Sequence, residues 1–149
     1  DAERQVACLQ AIDHIRDLRR MLKRRELSVR GELDPNVNEL RGQATEITRE
    51  VIAWLGRERL GLSPVDAALA FARRVHGMRP RVRAAILRAT VGGELDATIA
   101  DRSLDAMRAI DEYAREVSRL AANLDLTRDL DRGGGLEHEP NGDEASEAA

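Results

Sequence analysis

The chain has 149 residues and a mass of 16.5 kDa, which suits one compact domain with a tail. Hydrophobic residues make up 42% and aromatics only 2%, namely Trp54, Phe71 and Tyr113, so any core is aliphatic. Abundant Ala, Leu, Arg and Glu with few β-branched runs argue against a β-rich fold. The longest apolar run, residues 67–72, is far short of the roughly 20 residues a bilayer requires. The one cysteine, Cys8, excludes an internal disulfide and a multi-cysteine metal site and suits a reducing compartment. The charged start at Asp1 shows no signal peptide and reads as a processed start or a piece of a longer chain. Net charge is −3, yet residues 132–149 alone carry −4, leaving +1 for residues 1–131. A near-neutral body argues against nucleic-acid binding.

The first helix is expected over residues 2–25, with Val6, Leu9, Ile12, Ile15, Leu18 and Leu22 at spacings of three or four facing a core. A break over residues 28–34 contains Gly31. Asp34-Pro35 then supplies an N-cap and a first-turn proline. The second helix repeats Val37, Leu40, Ala44, Ile47, Val51 and Trp54 in alternating steps of three and four, the seam of a bundle helix, and ends near Gly61. Ser63-Pro64-Val65-Asp66 places Ser at the N-cap, Pro at N1 and an acid at N3. The third helix carries Val65, Ala68, Leu69, Ala72, Val75, Val82, Ile86 and Ala89. Gly77 and Pro80 predict a kink near Met78, and Gly92-Gly93 ends the helix. The fourth spans residues 96–124 with Leu104, Met107, Ile110, Ala114, Val117, Leu120 and Leu124. Short connections imply an all-α, antiparallel up-down four-helix bundle over residues 1–131. Residues 132–149, His138 among them, hold one large apolar residue and read as a disordered acidic tail.

Asp13, His14 and Asp17 are the metal candidates of the first helix, since Asp13 and Asp17 lie four residues apart and share one face. On the fourth helix Asp111, Glu112 and Glu116 could complete a site, Glu112 and Glu116 again one turn apart, so the two helices could build a carboxylate site inside the bundle. The competing reading pairs Asp13 and Asp17 with Arg16, Arg20 and Arg24 on a solvated face. Residues 73–88 hold six arginines and no acid, while residues 94–116 hold seven acids against three arginines. These runs are expected to pair along the helix rims; otherwise the arginines meet phosphate, acidic lipid headgroups or RNA. RNA is disfavoured because no aromatics are interleaved for stacking. Cys8 reads as a small core residue, His76 as a surface residue, and Trp54 and Tyr113 as core rings with polar tips at the rim. With no Ser/His/Asp spacing, Gly-rich phosphate loop or His-Glu-x-x-His motif, neither catalytic residues nor a cofactor is expected.

Residues 9–22 and 107–120 echo one another at an offset of 98, both containing Ala-Ile-Asp, the span of a three-helix repeat. The stretches Ala-Ile-Asp-His-Ile-Arg-Asp-Leu (11–18) and Ala-Ile-Asp-Glu-Tyr-Ala-Arg-Glu-Val (109–117) resemble the third helix of PhoU-type repeats, a PhoU- or spectrin-like architecture. That resemblance makes the first helix the end of one repeat and the other three a second repeat. Gln10 and His14, then Arg108 and Glu112, stand where the family carries paired acidic metal ligands. The chain is thereby closer to the divergent PhoU-like domain at the cytosolic end of bacterial sodium/phosphate cotransporters. The resemblance implies a non-catalytic regulator of phosphate uptake, cytoplasmic or the soluble domain of an inner-membrane protein. It would act by contact with a membrane transporter domain or transport complex, with self-association as a further partner and no nucleic acid. The alternatives are a scaffold bundle unrelated to phosphate and a small all-helical enzyme similar to chorismate mutase, which would need the lone Lys23 and arginines inside the bundle. Kinship with the phosphate-uptake family requires Ile12 and Ile110 to occupy equivalent surroundings.

Overall fold

The computed structural model describes residues 2–23, 31–56 and 63–133. They form α1 (Ala2–Leu22), α2 (Pro35–Gly56), α3 (Val65–Val91) and α4 (Ala97–Gly133), with no strand among the described residues. The fold is all-α. The expected break over residues 28–30, the helix end near Gly61 and the tail beyond residue 133 lie outside the described residues.

Local chemistry fixes the ends. The Asp34 carboxylate accepts the Asn36 amide at 3.0 Å and opens α2. Pro64, rather than Ser63, occupies the N-cap of α3, while the Ser63 hydroxyl accepts the Val65 amide at 3.3 Å. α3 runs as a single helix through Gly77 and Pro80. It closes with Gly93 at φ +74, where the Gly93 and Glu94 amides donate back to the Thr90 and Ala89 carbonyls. This paired closure at a left-handed glycine aims the chain straight into α4. The Asp96 carboxylate caps α4 by accepting the Thr98 amide at 2.8 Å. α4 extends nine residues beyond its expected end.

The contacts agree with an up-down-up-down order. Asp34 donates its amide to the Ser103 hydroxyl at 2.8 Å and Thr48 meets Tyr113 at 2.7 Å, so α2 and α4 advance together. On α1, Val6 lies beside Leu126 and His14 meets Glu116, so α1 runs against α4. The four helices are not equivalent. α2, α3 and α4 pack on one another around Val37, Leu40, Val75, Ile86, Met107 and Ile110, whereas the backbone of α1 comes close to α4 alone. A second cluster, Ala11, Trp54, Leu120 and Leu124, fastens α1, and Leu18 touches both clusters.

The seams of α2 and α4 and most of that of α3 are buried as expected. That of α1 is not. Val6, Leu9, Ile12 and Ile15 are exposed; the residues that meet α4 are Ala7 and Ala11, with His14, Leu18 and Met21 half-buried beside them. The reason lies in the spacing. Steps of three throughout (6, 9, 12, 15) rotate by about 60° each and wind the row around the helix. Positions 7, 11, 14, 18 and 21 alternate four and three and stay on one face. The small side chains of Ala7 and Ala11 suit a close approach to α4.

Candidate interaction surface

Charged and polar groups are buried along α4, and each has a named neighbour. Asp111 is 0% exposed. Its Oδ2 accepts from Arg79 of α3 at 3.1 Å and from Arg115 at 3.3 Å, while its Oδ1 faces the His76 ring at 3.4 Å. Both arginine bonds fall on Oδ2, whereas Oδ1 makes no hydrogen bond and has only the His76 ring beside it, so the buried charge is paired on one oxygen alone. Glu116, also buried, meets the His14 ring across the α1–α4 interface and has Arg119 at 3.5 Å. Tyr113 is buried with its hydroxyl on Thr48, and that desolvation pushes its pKa above the ordinary 10.0, partly offset by the Thr48 hydrogen bond.

Of the six metal candidates, the structure brings together only His14 and Glu116, while Asp111 takes Arg79, Arg115 and His76 instead. Asp13 and Asp17 point to solvent, paired with Arg16 at 3.2 Å and Arg20 at 3.1 Å. Glu112 is half-buried on α4. Among the described residues no group of three or more His, Cys, Asp and Glu side chains is placed to hold a metal ion. Cys8 is exposed rather than a core residue, His76 is exposed as expected, and Lys23 is exposed. The expected rim pairing of α3 with α4 reduces to Asp111, which takes Arg79 and His76.

The largest departure from the expected bundle is the outer side of α1. Val6, Leu9, Ile12 and Ile15 form a diagonal apolar band, with Leu9 62% and Ile12 44% exposed. At one end Ile15 opens into a groove of about 340 Å³ between α1 and α2, lined by Leu18, Val51, Ile52, Val117 and Leu120. At the other end Val6 borders a hollow beside Leu126. Exposed Ile52 and Leu126 thus extend the band on both sides. Exposed apolar side chains grouped in this way, unlike isolated surface leucines, make this side the candidate interaction surface.

The echo between the first and last helices does not extend to their surroundings. Ile110 is 1% exposed against 44% for Ile12, and Met107 and Asp111 are buried where Leu9 and Asp13 face solvent. No protein family, curated protein or solved structure shows significant similarity to the chain. No described helix is long and apolar enough to cross a membrane.

Proposed function

We propose that this chain is a non-catalytic helical interaction module that acts by protein–protein contact through the outer side of α1. The observation that carries the reading is the exposed row Val6, Leu9, Ile12 and Ile15, running into the apolar α1–α2 groove. Covering each of these half-exposed side chains returns about 1 kcal/mol.

The residues favour a second copy of the chain as occupant. About a two-fold axis between Leu9 and Ile12, an antiparallel pairing sets Leu9 opposite Ile12, so the centre of the band is self-complementary in apolarity. Sedimentation equilibrium tests it. The chain is expected to dimerise with rising concentration, and Leu9→Asp to stay monomeric with unchanged helicity. A wild-type chain that is monomeric throughout overturns the reading.

The narrower proposal names the partner as a membrane phosphate transporter or its complex. It rests on the two stretches quoted above alone, without the equivalent surroundings of Ile12 and Ile110 that kinship with the family requires. Phosphate uptake by a sodium/phosphate transporter, measured with and without the coproduced chain, tests it; unchanged uptake removes the proposal.

A further inference from the structure

α3 carries a second unpartnered surface, of different character. Three parallel rows run along its outer side at intervals of seven residues: Arg74, Arg81 and Arg88; Arg73, Pro80 and Leu87; Ala70, Gly77, Ala84 and Val91. All ten residues are exposed. Seven residues advance almost two turns, about 10 Å, so the first row is a line of guanidinium groups at even intervals. No acidic residue occurs between Asp66 and Glu94.

The charges are also unspent. Among the described residues Arg73, Arg81, Arg83 and Arg88 make neither an ion pair nor a side-chain hydrogen bond. Arg74 bonds only the neutral Gln43 and lies over the Phe71 ring. Of the six arginines, Arg79 alone meets a carboxylate, that of Asp111. The acids of α4, close in sequence, do not neutralise this face.

Apolar side chains share it. Val91 is 90% exposed at the C-terminal end of α3, and Leu87 and Leu69 are exposed on the same side. A face that combines unpaired arginines with protruding aliphatic groups matches the interfacial zone of an anionic bilayer, where headgroup phosphates meet the first methylenes. Arginine suits phosphate in particular, because its fork donates two parallel hydrogen bonds.

We infer that the outer face of α3 docks on anionic phospholipid, with Arg74, Arg81 and Arg88 on headgroup phosphates and Leu87 and Val91 in the interfacial layer. The site is independent of the α1 face, since it uses another helix and other chemistry. Nucleic acid fits it less well. Phe71, the one aromatic residue of α3, is buried, so no ring is presented to stack a base.

Vesicle co-sedimentation of the full chain tests the inference, with phosphatidylcholine vesicles compared with vesicles containing phosphatidylglycerol. The expected result is pelleting with the anionic vesicles only, diminishing as sodium chloride is raised. Arg81→Gln/Arg88→Gln is expected to weaken binding about thirtyfold, and Val91→Asp to weaken it with the helical signal and melting temperature unchanged. Leu9→Asp, on the α1 face, is expected to bind vesicles as wild type does. Equal pelleting with both vesicle types, or undiminished pelleting of the double variant, overturns the proposal. So does release by inorganic phosphate beyond that caused by chloride of equal ionic strength, which would assign the arginines to free phosphate. Tighter binding of a single-stranded oligonucleotide than of the vesicles overturns it in favour of nucleic acid.

Discussion

The imidazole of His14 meets the carboxylate of Glu116 across 102 residues of sequence, one turn from Ala11 and Leu120 of the apolar cluster that fastens α1. Glu116 is buried, and its other partner is Arg119 at 3.5 Å. His14→Ala therefore leaves an interior carboxylate under-bonded, at an expected cost of about 1–3 kcal/mol. Adding Glu116→Gln, which removes the charge, is expected to recover part of the loss. Urea unfolding of both single variants and the double variant measures the coupling.

The two isoleucines of the sequence echo give a sharper contrast. Ile110 sits in the core between α2, α3 and α4, so Ile110→Ala is expected to cost about 2–5 kcal/mol. Ile12→Ala changes an exposed position of the isolated chain and is expected to stay within about 0.5 kcal/mol. Comparable losses at both positions, measured below the concentration of any self-association, would show that the outer side of α1 is covered within one chain.

Tyr113 is the one tyrosine, so phenolate absorbance reports it without interference. Its pKa is raised by burial, hence the fold holds the neutral phenol. The stabilisation is fully present below the ordinary 10.0 and is lost as pH rises through the higher folded value. Tyr113→Phe is expected to cost about 1 kcal/mol at neutral pH, through the Thr48 hydrogen bond, and to remove this alkaline loss. Thermal melts of both proteins between neutral and strongly alkaline pH give the difference directly.

At the acid end the informative residue is Asp96. The Thr98 amide, and more weakly the Thr98 hydroxyl and Ile99 amide, hold its carboxyl below the ordinary 3.8. Because the folded value is depressed, the contribution is present above the unfolded value and disappears as pH falls through the folded one. Asp96→Asn retains an oxygen acceptor at the cap and is expected to flatten that acid dependence, whereas Asp96→Ala lowers stability at neutral pH too. Carboxyl carbon shifts in the wild type, followed from neutral to acid pH, locate the midpoint.

The helices and most of their ends were legible because each signal is local. Asp34-Pro35 and Gly92-Gly93 act through backbone geometry within a few residues, and the alternating seams of α2 and α4 leave one orientation that buries them. α1 is the exception, because its largest apolar residues stand at 6, 9, 12 and 15, a row that rotates off any one face, and its true seam is the small residues at 7 and 11. The far end of α4 was missed because Thr127, buried with its hydroxyl on the Leu124 carbonyl at 2.7 Å, continues the seam in polar guise. Of the candidate site, the His14–Glu116 pairing was contained in the proposed residue set. Asp111 as an interior charge was not legible, since its burial depends on Arg79 arriving from another helix. The free arginine rows of α3 were visible as composition, but their lack of partners depends on which way α4 turns its acids.

A helix whose backbone lies against one neighbour comes away more readily than the rest. α1 leans on α4, tied further by Trp54 of α2 and by its own Leu18, while the other three helices form most of the main core, so the protein contains two units of unequal persistence, and amide exchange is expected to release α1 first. Whatever grips the outside of α1 then also decides how long that helix stays seated, and occupancy at the surface becomes a brake on local opening.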